Sequence, residues 1–378
     1  MNKVEATFRI VTPMFLGGAD SKAELRIQSI KGVLRFWWRT FAYPAVNGNL
    51  KKLAEKEAQL FGSNENCASF QLRLSSNDRN INKTSKGTIF QEMANPDQPG
   101  ARYLGFGLMD AFDGKKTKAG RLSRGCINHG QDFSISAITR DKLSDDLIRT
   151  FKLFGLLGGL GSRSRKGFGS ITLTRIKVND REYWVRPETA DAYRQELISL
   201  LGEATKYNQE PKISAFSKLT RINYIGTNPS PLSLLNTWGK QMQRYRSWGF
   251  KGKVNGRKSE QNFKKDHHWY RFIGNYREND FHPRRVIFGL PHNYDSKKEE
   301  GCVTGKIHDR RASPLFFHIH EFSPRKYGAV ALLLRSVFLP NGEKINAGGK
   351  SVPQAIEWKV LNEFFDNKKY FSNIVAWV

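Results

Sequence analysis

Three basic residues recur every four positions in the segment 25–39, which reads LRIQSIKGVLRFWWR. Lys31, Arg35 and Arg39 would lie on one face of a helix, where like charges repel one another and add nothing to local stability. Such a face suits an anionic ligand. An ordinary solvated basic surface would explain it equally well for a single helix, so this segment alone leaves both interpretations open.

The same segment carries an apolar stripe that would anchor the helix to a sheet. Its apolar residues follow helical spacing: Ile30, Val33, Leu34, Trp37, Trp38 and Phe41. Ser29 is a suitable N-cap residue, so we expect the helix to run from about Ser29 to Tyr43. The aromatic side would then be buried and the basic side exposed.

A second basic cluster lies in a glycine-rich segment, GLLGGLGSRSRKGFG at 155–169. The glycines at 158, 159 and 161 would let another backbone approach closely, and Arg163, Arg165 and Lys166 would supply positive charge. The segment lacks the GK[ST] sequence of a Walker loop and follows a predicted helix, so no helix N-terminus would face the ligand. A tight packing turn explains the glycines but not the three cations, which favours phosphate contact.

The composition points to a polyanionic partner. Sixty-two Lys and Arg residues oppose thirty-five Asp and Glu residues, for a formal charge of +27. An excess this large is typical of nucleic-acid-binding proteins. No basic amphipathic tail or long apolar segment favours a membrane. The three cysteines are too few and too widely spaced for a disulfide framework or a zinc site. We therefore expect a soluble, cytoplasmic protein with no cofactor, no metal and no membrane partner.

The first half predicts mixed helices and strands. We expect strands at 4–11, 69–74, 102–109, 132–139 and 170–178, the helix at 29–43, and a second helix that starts at Ser144. The polar stretch 75–100 is typical of a mobile insertion. The order strand, helix, strands, helix, strand predicts a ferredoxin-like βαββαβ domain with insertions.

The second half repeats this order after a predicted linker at 186–212, which includes a helix at 190–201. We expect strands at 218–225, 286–290, 315–322 and 329–338, and helices at 231–246 and 354–365. The predicted fold is α+β, with two fused ferredoxin-like (RNA-recognition-motif-like) domains with insertions at 1–185 and 213–378. The chain length favours two domains with separate cores.

A basic insertion interrupts the second half at 251–285. It holds ten Lys or Arg residues against four acidic residues. Aromatic residues alternate with them: Phe263, Trp269, Tyr270, Phe272 and Tyr276. Such a composition suits phosphate pairing together with base stacking. A disordered, solvated insertion is an equally good interpretation.

A helix followed by a basic glycine-rich loop and the last strand of a ferredoxin-like domain resembles the RAMP superfamily of CRISPR-associated proteins. Three further segments are similar to the RAMP subunit at the head of type III-B (Cmr-type) effector complexes. These are TPMFLGGAD at 12–20, ELRIQSIKGVLRFWWRT at 24–40 and RRASPLFFHIHEF at 310–322. The chain departs from single-stranded RNA-binding modules in lacking an RNP1-like run, which argues against sequence-specific base stacking on the sheet.

The resemblance implies binding of guide (CRISPR) RNA, at its 3′ portion, and of target RNA. It also implies assembly beside other RAMP subunits of the effector complex. By position, the phosphate contacts would be Lys31, Arg35, Arg39, Arg163, Arg165 and Lys166. Close approach of the RNA would be allowed by Gly17, Gly18, Gly158, Gly159 and Gly161.

Catalytic residues are poorly represented in the sequence. General acid–base cleavage of RNA commonly uses histidine, but His129 lies in a predicted loop and His318 and His320 alternate on a predicted strand, where they share a face. His267 and His268 lie in the basic insertion. Each of these is better explained as a structural or RNA-contacting residue.

Asp20 is the strongest catalytic suspect, because backbone subunits of the complexes that this chain resembles place a cleavage-promoting aspartate between the first strand and first helix. A turn or capping aspartate remains the favoured explanation. The sequence therefore predicts a non-catalytic RNA-binding subunit. The alternative is a RAMP-superfamily endoribonuclease that processes guide RNA. A general RNA chaperone or ribosome-associated protein is a third reading, which only the charge supports.

Overall fold

The computed structural model describes residues 2–75, 81–139, 144–271, 280–294, 299–369, 371 and 375–378. The α-helices among these residues are α1 (Ile27–Ala45), α2 (Leu50–Phe61), α3 (Gln91–Ala94), α4 (Pro99–Leu104), α5 (Asp145–Leu157), α6 (Ala190–Leu201), α7 (Pro231–Arg246), α8 (Lys264–Arg271) and α9 (Lys359–Asp366). Short 3₁₀ helices cover Gly202–Lys206, Arg284–Phe288 and Glu299–Gly301.

The strands are β1 (Asn2–Ile10), β2 (Gln71–Leu74), β3 (Lys83–Thr84), β4 (Cys126–Ile127), β5 (Asp132–Thr139), β6 (Ile171–Val178), β7 (Arg181–Val185), β8 (Arg221–Asn228), β9 (Lys253–Val254), β10 (Arg257–Lys258), β11 (His292–Asn293), β12 (Cys302–Gly305), β13 (Leu315–Ser323), β14 (Lys326–Leu333), β15 (Lys344–Ala347), β16 (Lys350–Pro353) and β17 (Val375–Ala376). Helices and antiparallel sheets together confirm the α+β class.

The N-terminal sheet is built around β1. Its strand order is β2–β5–β1–β6–β7, with antiparallel neighbours throughout. Alternate residues of β1 are buried, as expected for a strand with one face on a helical layer. Phe8 stands opposite Phe133 of β5 and Leu173 of β6 and packs beside Phe154 of α5. The centre of the sheet is thereby fixed against α5.

The C-terminal half contains a second antiparallel sheet with the order β13–β14–β8–β17. Helix α7 follows its first strand, β8, and α9 lies between β14 and β17. When these four strands are numbered by their order along the chain, their order across the sheet is 2–3–1–4. The strands β2, β5, β1 and β6 of the N-terminal sheet stand in the same order. A smaller sheet, β11–β12–β15–β16, completes this half.

Strand β13 lies at the edge of its sheet, so one of its sides has no neighbouring strand in that sheet. The glycine-rich loop and β6 cover this side. Phe317 N donates to the carbonyl oxygen of Arg165 at 3.0 Å. Ile319 N donates to Ser170 Oγ at 3.2 Å, and Glu321 N donates to Thr172 Oγ1 at 2.8 Å. Because a buried amide without an acceptor is costly, these bonds to alternate residues of β13 join the two halves. We call this junction the seam.

The two hydrophobic clusters among the described residues each draw on both halves, so the expectation of separate cores is wrong. The first cluster combines Phe154 and Trp37 with Phe316 and Val330. The second combines Phe168 and its neighbours with residues of the C-terminal half such as Phe317. The reason is that β13 alternates its side chains between the two clusters. The domain boundaries at 185 and 213 stay a prediction.

Most of the predicted elements are confirmed, and helix 231–246 and strand 132–139 have the predicted bounds. Helix α1 begins at Ile27 with Arg26 at its N-cap, so the prediction of Ser29 as the cap is wrong. The half-buried Ile27 packs against the core, which extends the helix by two residues.

Two predicted strands are absent at their predicted positions, and the first three residues of each are helical. Residues 102–109 overlap α4, which begins at Pro99, and residues 286–290 overlap a 3₁₀ helix. Gly100 of α4 lies against Gly239 of α7, where added methyl groups would clash with backbone, so this contact between helices overrides local strand propensity. The sequence interpretation missed α2, in which only Leu53 and Phe61 are buried.

The predicted basic insertion at 251–285 is described except for residues 272–279, which include Phe272 and Tyr276 and lie outside the described part of the chain. The rest contains β9, β10 and α8. Phe263 and Trp269 are buried in the second cluster, whereas Tyr270 is 40% exposed. Two of the aromatic residues assigned to base stacking therefore have a packing role.

Two neutral histidines are buried beside the seam. His318 Nδ1 donates to Gly158 O at 2.8 Å, and the His320 ring stacks on Tyr193 at 4.5 Å. Burial lowers the pKa of His318 to about 4. Burial also lowers the pKa of His320 well below its ordinary value, and the neighbouring His318 lowers it further.

Acidification should therefore destabilise the protein. Between about pH 6.5 and pH 4 the unfolded chain binds protons that these buried rings do not, so the free energy of unfolding should fall as the pH falls through that window. Each histidine can contribute up to about 1.4 kcal/mol per pH unit. Denaturant unfolding of His318→Asn, which keeps a donor for Gly158 O, should show a shallower pH dependence. The control is His129→Asn, at a half-buried ring beside Glu92, and equal slopes in all three proteins would contradict the assignment.

Candidate nucleic-acid interface

The basic face of α1 is largely occupied by α2. Arg39 Nε lies 2.5 Å from Glu57 Oε2, and Arg35 Nε lies 3.7 Å from Glu57 Oε1. Arg35 Nη2 also donates to the carbonyl oxygens of Phe61 and Gly62, where α2 ends. The hydrogen bond to Glu57 is the main cause that raises the pKa of Arg39.

Two of the three cations assigned to phosphate on this helix thus hold α2 in place. Arg35 satisfies carbonyl groups that have no partner within α2, and both guanidiniums share one carboxylate. Lys31 differs, because it is half-buried and forms no ion pair with a described residue. Of the helix cations, Lys31 has its charge most available to a ligand.

The glycines of the loop allow other backbone segments of this same chain to pack closely against them. A Cβ atom on Gly161, whose φ is +86°, would lie 2.5 Å from Phe15 O, and one on Gly159 would lie 2.8 Å from Gly169 O. A Cβ on Gly158 would lie 2.4 Å from Phe154 O. The close approach that the sequence analysis assigned to RNA is therefore already made by residues of this chain.

The three cations of the loop have different surroundings. Arg165 Nη1 donates to Ser313 O, and its guanidinium lies 4.4 Å from the ring centre of Phe316. Burial, with a smaller effect of Arg311, lowers the pKa of Arg165 to about 10. Lys166 is half-buried. Arg163 is exposed, and its Nη2 donates to Phe106 O at 2.8 Å.

A cleft forms where the glycine-rich loop meets the segment after β1. It has a volume of about 300 Å³. The structure brings Gly17, Gly18 and Gly161 together here. The complete lining is Phe15, Leu16, Gly17, Gly18, Ser21, Lys22, Arg124, Gly125, Gly161 and Ser162. We call it the glycine cleft, and its charged lining residues, Lys22 and Arg124, are both cations.

Sequence reasoning missed three residues of this region. Lys22 and Arg124 are exposed cations of the lining, and Arg124 Nη1 lies 3.4 Å from Ser162 Oγ. Phe106 is 66% exposed beside Arg163. Lys22 lies between the motifs at 12–20 and 24–40 and follows Asp20 by two residues, which was a usable signal. Arg124 and Phe106 come from segments whose placement depends on tertiary contacts.

Asp20 makes the turn that the sequence analysis favoured. Its Oδ1 accepts from Lys22 N at 3.0 Å, and its Oδ2 lies 3.7 Å from the Lys22 ammonium. His129 Nε2 lies 3.7 Å from Glu92. Within the described ranges, no cluster of three or more His, Cys, Asp or Glu residues could hold a metal ion. A search of the same residues finds no helix that could cross a membrane.

Comparisons with known proteins agree with the sequence motifs. A family model of the RAMP superfamily matches residues 7–172. The chain is 28% identical over 186 residues to the CRISPR system Cmr subunit Cmr1-2 of Pyrococcus furiosus, a match that covers 46% of this chain and 97% of that protein. It is 24% identical over 363 residues to the Cmr1-1 subunit of the same organism, which covers 90% and 87% of the two proteins.

Solved structures share the fold. The apo crystal structure of Cmr1 from Pyrococcus furiosus matches with a TM-score of 0.58 at 17% identity, over 100% of this chain and 99% of that one. A chain of the type III-B Cmr-beta complex bound to cognate target RNA matches with a TM-score of 0.51 at 12% identity, over 96% and 98% of the two chains. These structures show a shared fold, and the family-model match over residues 7–172 confirms the predicted resemblance to the RAMP superfamily.

The loop geometry predicts unequal effects of removing two neighbouring arginines. Arg165→Ala should lower the free energy of unfolding by about 2–4 kcal/mol, because Ser313 O loses a charged donor and Phe316 loses a cation–π contact. Arg163→Ala, the matched control in the same loop, should change it by about 0.5 kcal/mol. Chemical denaturation measures both, and equal losses would show that the exposures of the two side chains are misassigned.

Proposed function

We propose that this RAMP-superfamily chain is a non-catalytic RNA-binding subunit of a type III-B CRISPR ribonucleoprotein interference complex. It contacts the 3′ portion of the guide RNA and the target RNA at the head of the complex, beside other RAMP subunits. The observation that carries the proposal is the glycine cleft, whose charged lining residues are both cations and whose lining includes Gly17, Gly18 and Gly161.

The chemistry of the cleft suits a phosphate backbone. Lys22 and Arg124 provide exposed positive charge, and the exposed Arg163 directly follows the lining residue Ser162 in the chain. Exposed cations without hydrophobic pockets bind a polyanion without reading its sequence. The formal charge of +27 adds long-range attraction of the same sign.

Phe106 offers a stacking surface beside the cleft. Its ring is 66% exposed, and Arg163 holds its carbonyl oxygen through Nε and Nη2. Single-stranded RNA binding commonly pairs such an aromatic ring with nearby cations, since every base has a face that can stack. Among the phosphate contacts assigned by sequence, we retain Lys31 and Arg163 and assign Arg35, Arg39 and Arg165 to the scaffold.

We further infer that both halves are ferredoxin-like domains, with boundaries near 185 and 213. The shared strand order of the two large sheets supports this inference. In each half a helix follows the first strand and another precedes the fourth. The fused arrangement would place the seam next to the RNA-binding surface. The glycine-rich loop contributes residues both to the seam and to the glycine cleft.

Variants of the glycine cleft test RNA binding. Combining Lys22→Ala, Arg124→Ala and Arg163→Ala should reduce the slope of log affinity against log salt by roughly 2, at about 0.7 per single-strand phosphate contact. Fluorescence anisotropy with a labelled single-stranded RNA measures the slope. The control combines Lys115→Ala, Lys116→Ala and Lys118→Ala, which removes equal charge from another exposed segment. Equal slopes for the two triple variants would contradict the site.

Phe106→Ala should weaken RNA binding by about 1–3 kcal/mol through loss of stacking. Phe112→Ala is the matched control, since Phe112 is 74% exposed but lies between Asp110 and Asp113, whose negative charges repel RNA. Titration of both variants at one salt concentration makes the comparison. An equal loss for both rings would assign the effect to general hydrophobicity.

The isolated protein should not cleave RNA, which distinguishes it from the endoribonuclease alternative. Acid–base cleavage needs two positioned titratable groups, and the cleft lining holds no His, Asp or Glu. Asp20 stands next to the lining and is the residue that could contradict this. Guide and target RNA should stay intact with the wild type and with Asp20→Ala, with or without Mg²⁺. Cleavage that Asp20→Ala abolishes would refute the non-catalytic assignment.

A further inference from the structure

Two cations of α7, Lys240 and Arg244, lie one helical turn apart and are both half-buried. Like charges at this spacing repel, so the pair adds nothing to the stability of the helix itself. In the N-terminal half, the helix after the first strand has a similar basic face, which α2 covers through Glu57. On α7 the two cations instead line a cleft of about 460 Å³. We call it the α7 cleft.

Two segments that are distant in sequence form the walls of the α7 cleft. One wall lies at 96–99, where α4 begins. The other wall is the hairpin of β9 and β10, which contributes Val254, Asn255 and Arg257. This hairpin belongs to the basic insertion, whose charge the glycine cleft does not use. The described linings of the two clefts share no residue, so the α7 cleft is a separate site.

Hydrogen bonds hold both walls against α7. Asn236 Nδ2 donates to Asp97 O at 2.8 Å, and Asn236 Oδ1 accepts from Gly100 N at 2.9 Å. Asn255 Nδ2 donates to Gln243 Oε1 at 2.9 Å. A cleft whose walls are held in this way exists before a ligand arrives, which lowers the entropy cost of binding.

Positive charge dominates the α7 cleft. Lys240, Arg244 and Arg257 line it, and Asp97 is the acidic residue of the described lining. Arg244 is partly committed, since its Nε lies 3.2 Å from Glu260 Oε1. Lys240 is half-buried, Arg257 is exposed, and neither forms an ion pair with a described residue. These two charges are therefore available to an acidic ligand.

The uncharged part of the lining favours a protein segment over RNA. The side-chain amides of Gln241 and Asn255 offer both donors and acceptors, which match the N–H and C=O groups of a peptide, whereas a phosphodiester group only accepts. Pro96 and Pro99 provide apolar contact. The described lining contains no aromatic ring, so it lacks the stacking surface that is common in single-stranded RNA sites. The carboxylate of Asp97 would also repel a phosphate backbone.

We propose that the α7 cleft docks an extended acidic segment of a neighbouring protein subunit of the effector complex. This inference rests on the proposed assembly beside other subunits, and it assigns one contact of that assembly to a surface and a chemistry. One carboxylate of the segment would pair with the Lys240 ammonium and another with the planar guanidinium of Arg257. The amides of Gln241 and Asn255 would hydrogen-bond to the backbone of the segment.

Binding of an acidic peptide to the full chain tests the site. The probe is a fluorescein-labelled octapeptide in which Glu alternates with Ala, and fluorescence anisotropy measures its affinity. Combining Lys240→Met with Arg257→Gln should weaken binding about tenfold, because two ion pairs at a partly exposed site are lost. Lys240→Arg, which keeps the charge, should bind the peptide as the wild type does.

The matched control combines Lys51→Met with Lys52→Gln, which removes equal charge from exposed positions of α2. Because salt screens exposed charges that lie far from the ligand, this control should change the affinity by less than about twofold. In the native complex, Lys240 should be protected from an amine-acetylating reagent relative to the isolated chain. Carbodiimide, which couples an ammonium to a carboxylate in contact with it, should link Lys240 to an Asp or Glu residue of another subunit.

The outcomes separate this inference from the proposed function. Equal peptide affinity of the wild type and the Lys240→Met, Arg257→Gln protein, or no peptide binding by the wild type, would refute the docking site and leave RNA binding at the glycine cleft standing. If that double variant loses RNA affinity but keeps peptide affinity, the α7 cleft belongs to the RNA path and the inference also fails. If the wild type binds no RNA, the proposed RNA-binding function fails. Should the double variant not fold, Arg257→Gln alone decides, because Arg257 is exposed.

Discussion

The hydrogen bonds along the free edge of β13 are the constraint on which the rest of the structure depends. Phe317, Ile319 and Glu321 donate to Arg165 O, Ser170 Oγ and Thr172 Oγ1. An edge strand that is buried must find acceptors, and here the glycine-rich loop, Ser170 and β6 supply them. The hydrogen bond to β13 therefore fixes the position of the glycine-rich loop. Only side chains of the loop that do not contact β13 can face a ligand.

The positively charged side chains fall into two groups, those with a partner within the chain and those without an acidic partner among the described residues. Arg165 faces the seam and Arg35 and Arg39 face α2, so each has a partner within the chain. Arg163 faces outward, and Lys166 stays half-buried without an acidic partner among the described residues. The large net charge thus has two components. One holds the scaffold together, and the other is left for a polyanion.

The sequence predicted what depends on local periodicity and missed what depends on contacts between distant segments. The bounds of α7 and β5 follow from spacing of apolar residues, and both are correct. The glycines of the loop indicated a close approach, but spacing alone does not say which chain approaches. Likewise, Arg35 and Arg163 look equivalent in the sequence. Only the placement of Glu57 and Phe106, which lie in segments without a clear pattern, separates their roles.

The most direct test of this account is ultraviolet cross-linking of the native ribonucleoprotein, followed by mass spectrometry of the cross-linked peptides. We expect guide or target RNA to cross-link to the segments that border the glycine cleft, at 15–22, 124–125 and 161–163, and to Phe106 beside it. Helix α2 and the face of α1 that it covers should remain free of cross-links. Cross-links concentrated on α1 and α2, with none at the cleft, would contradict the assignment of the RNA path.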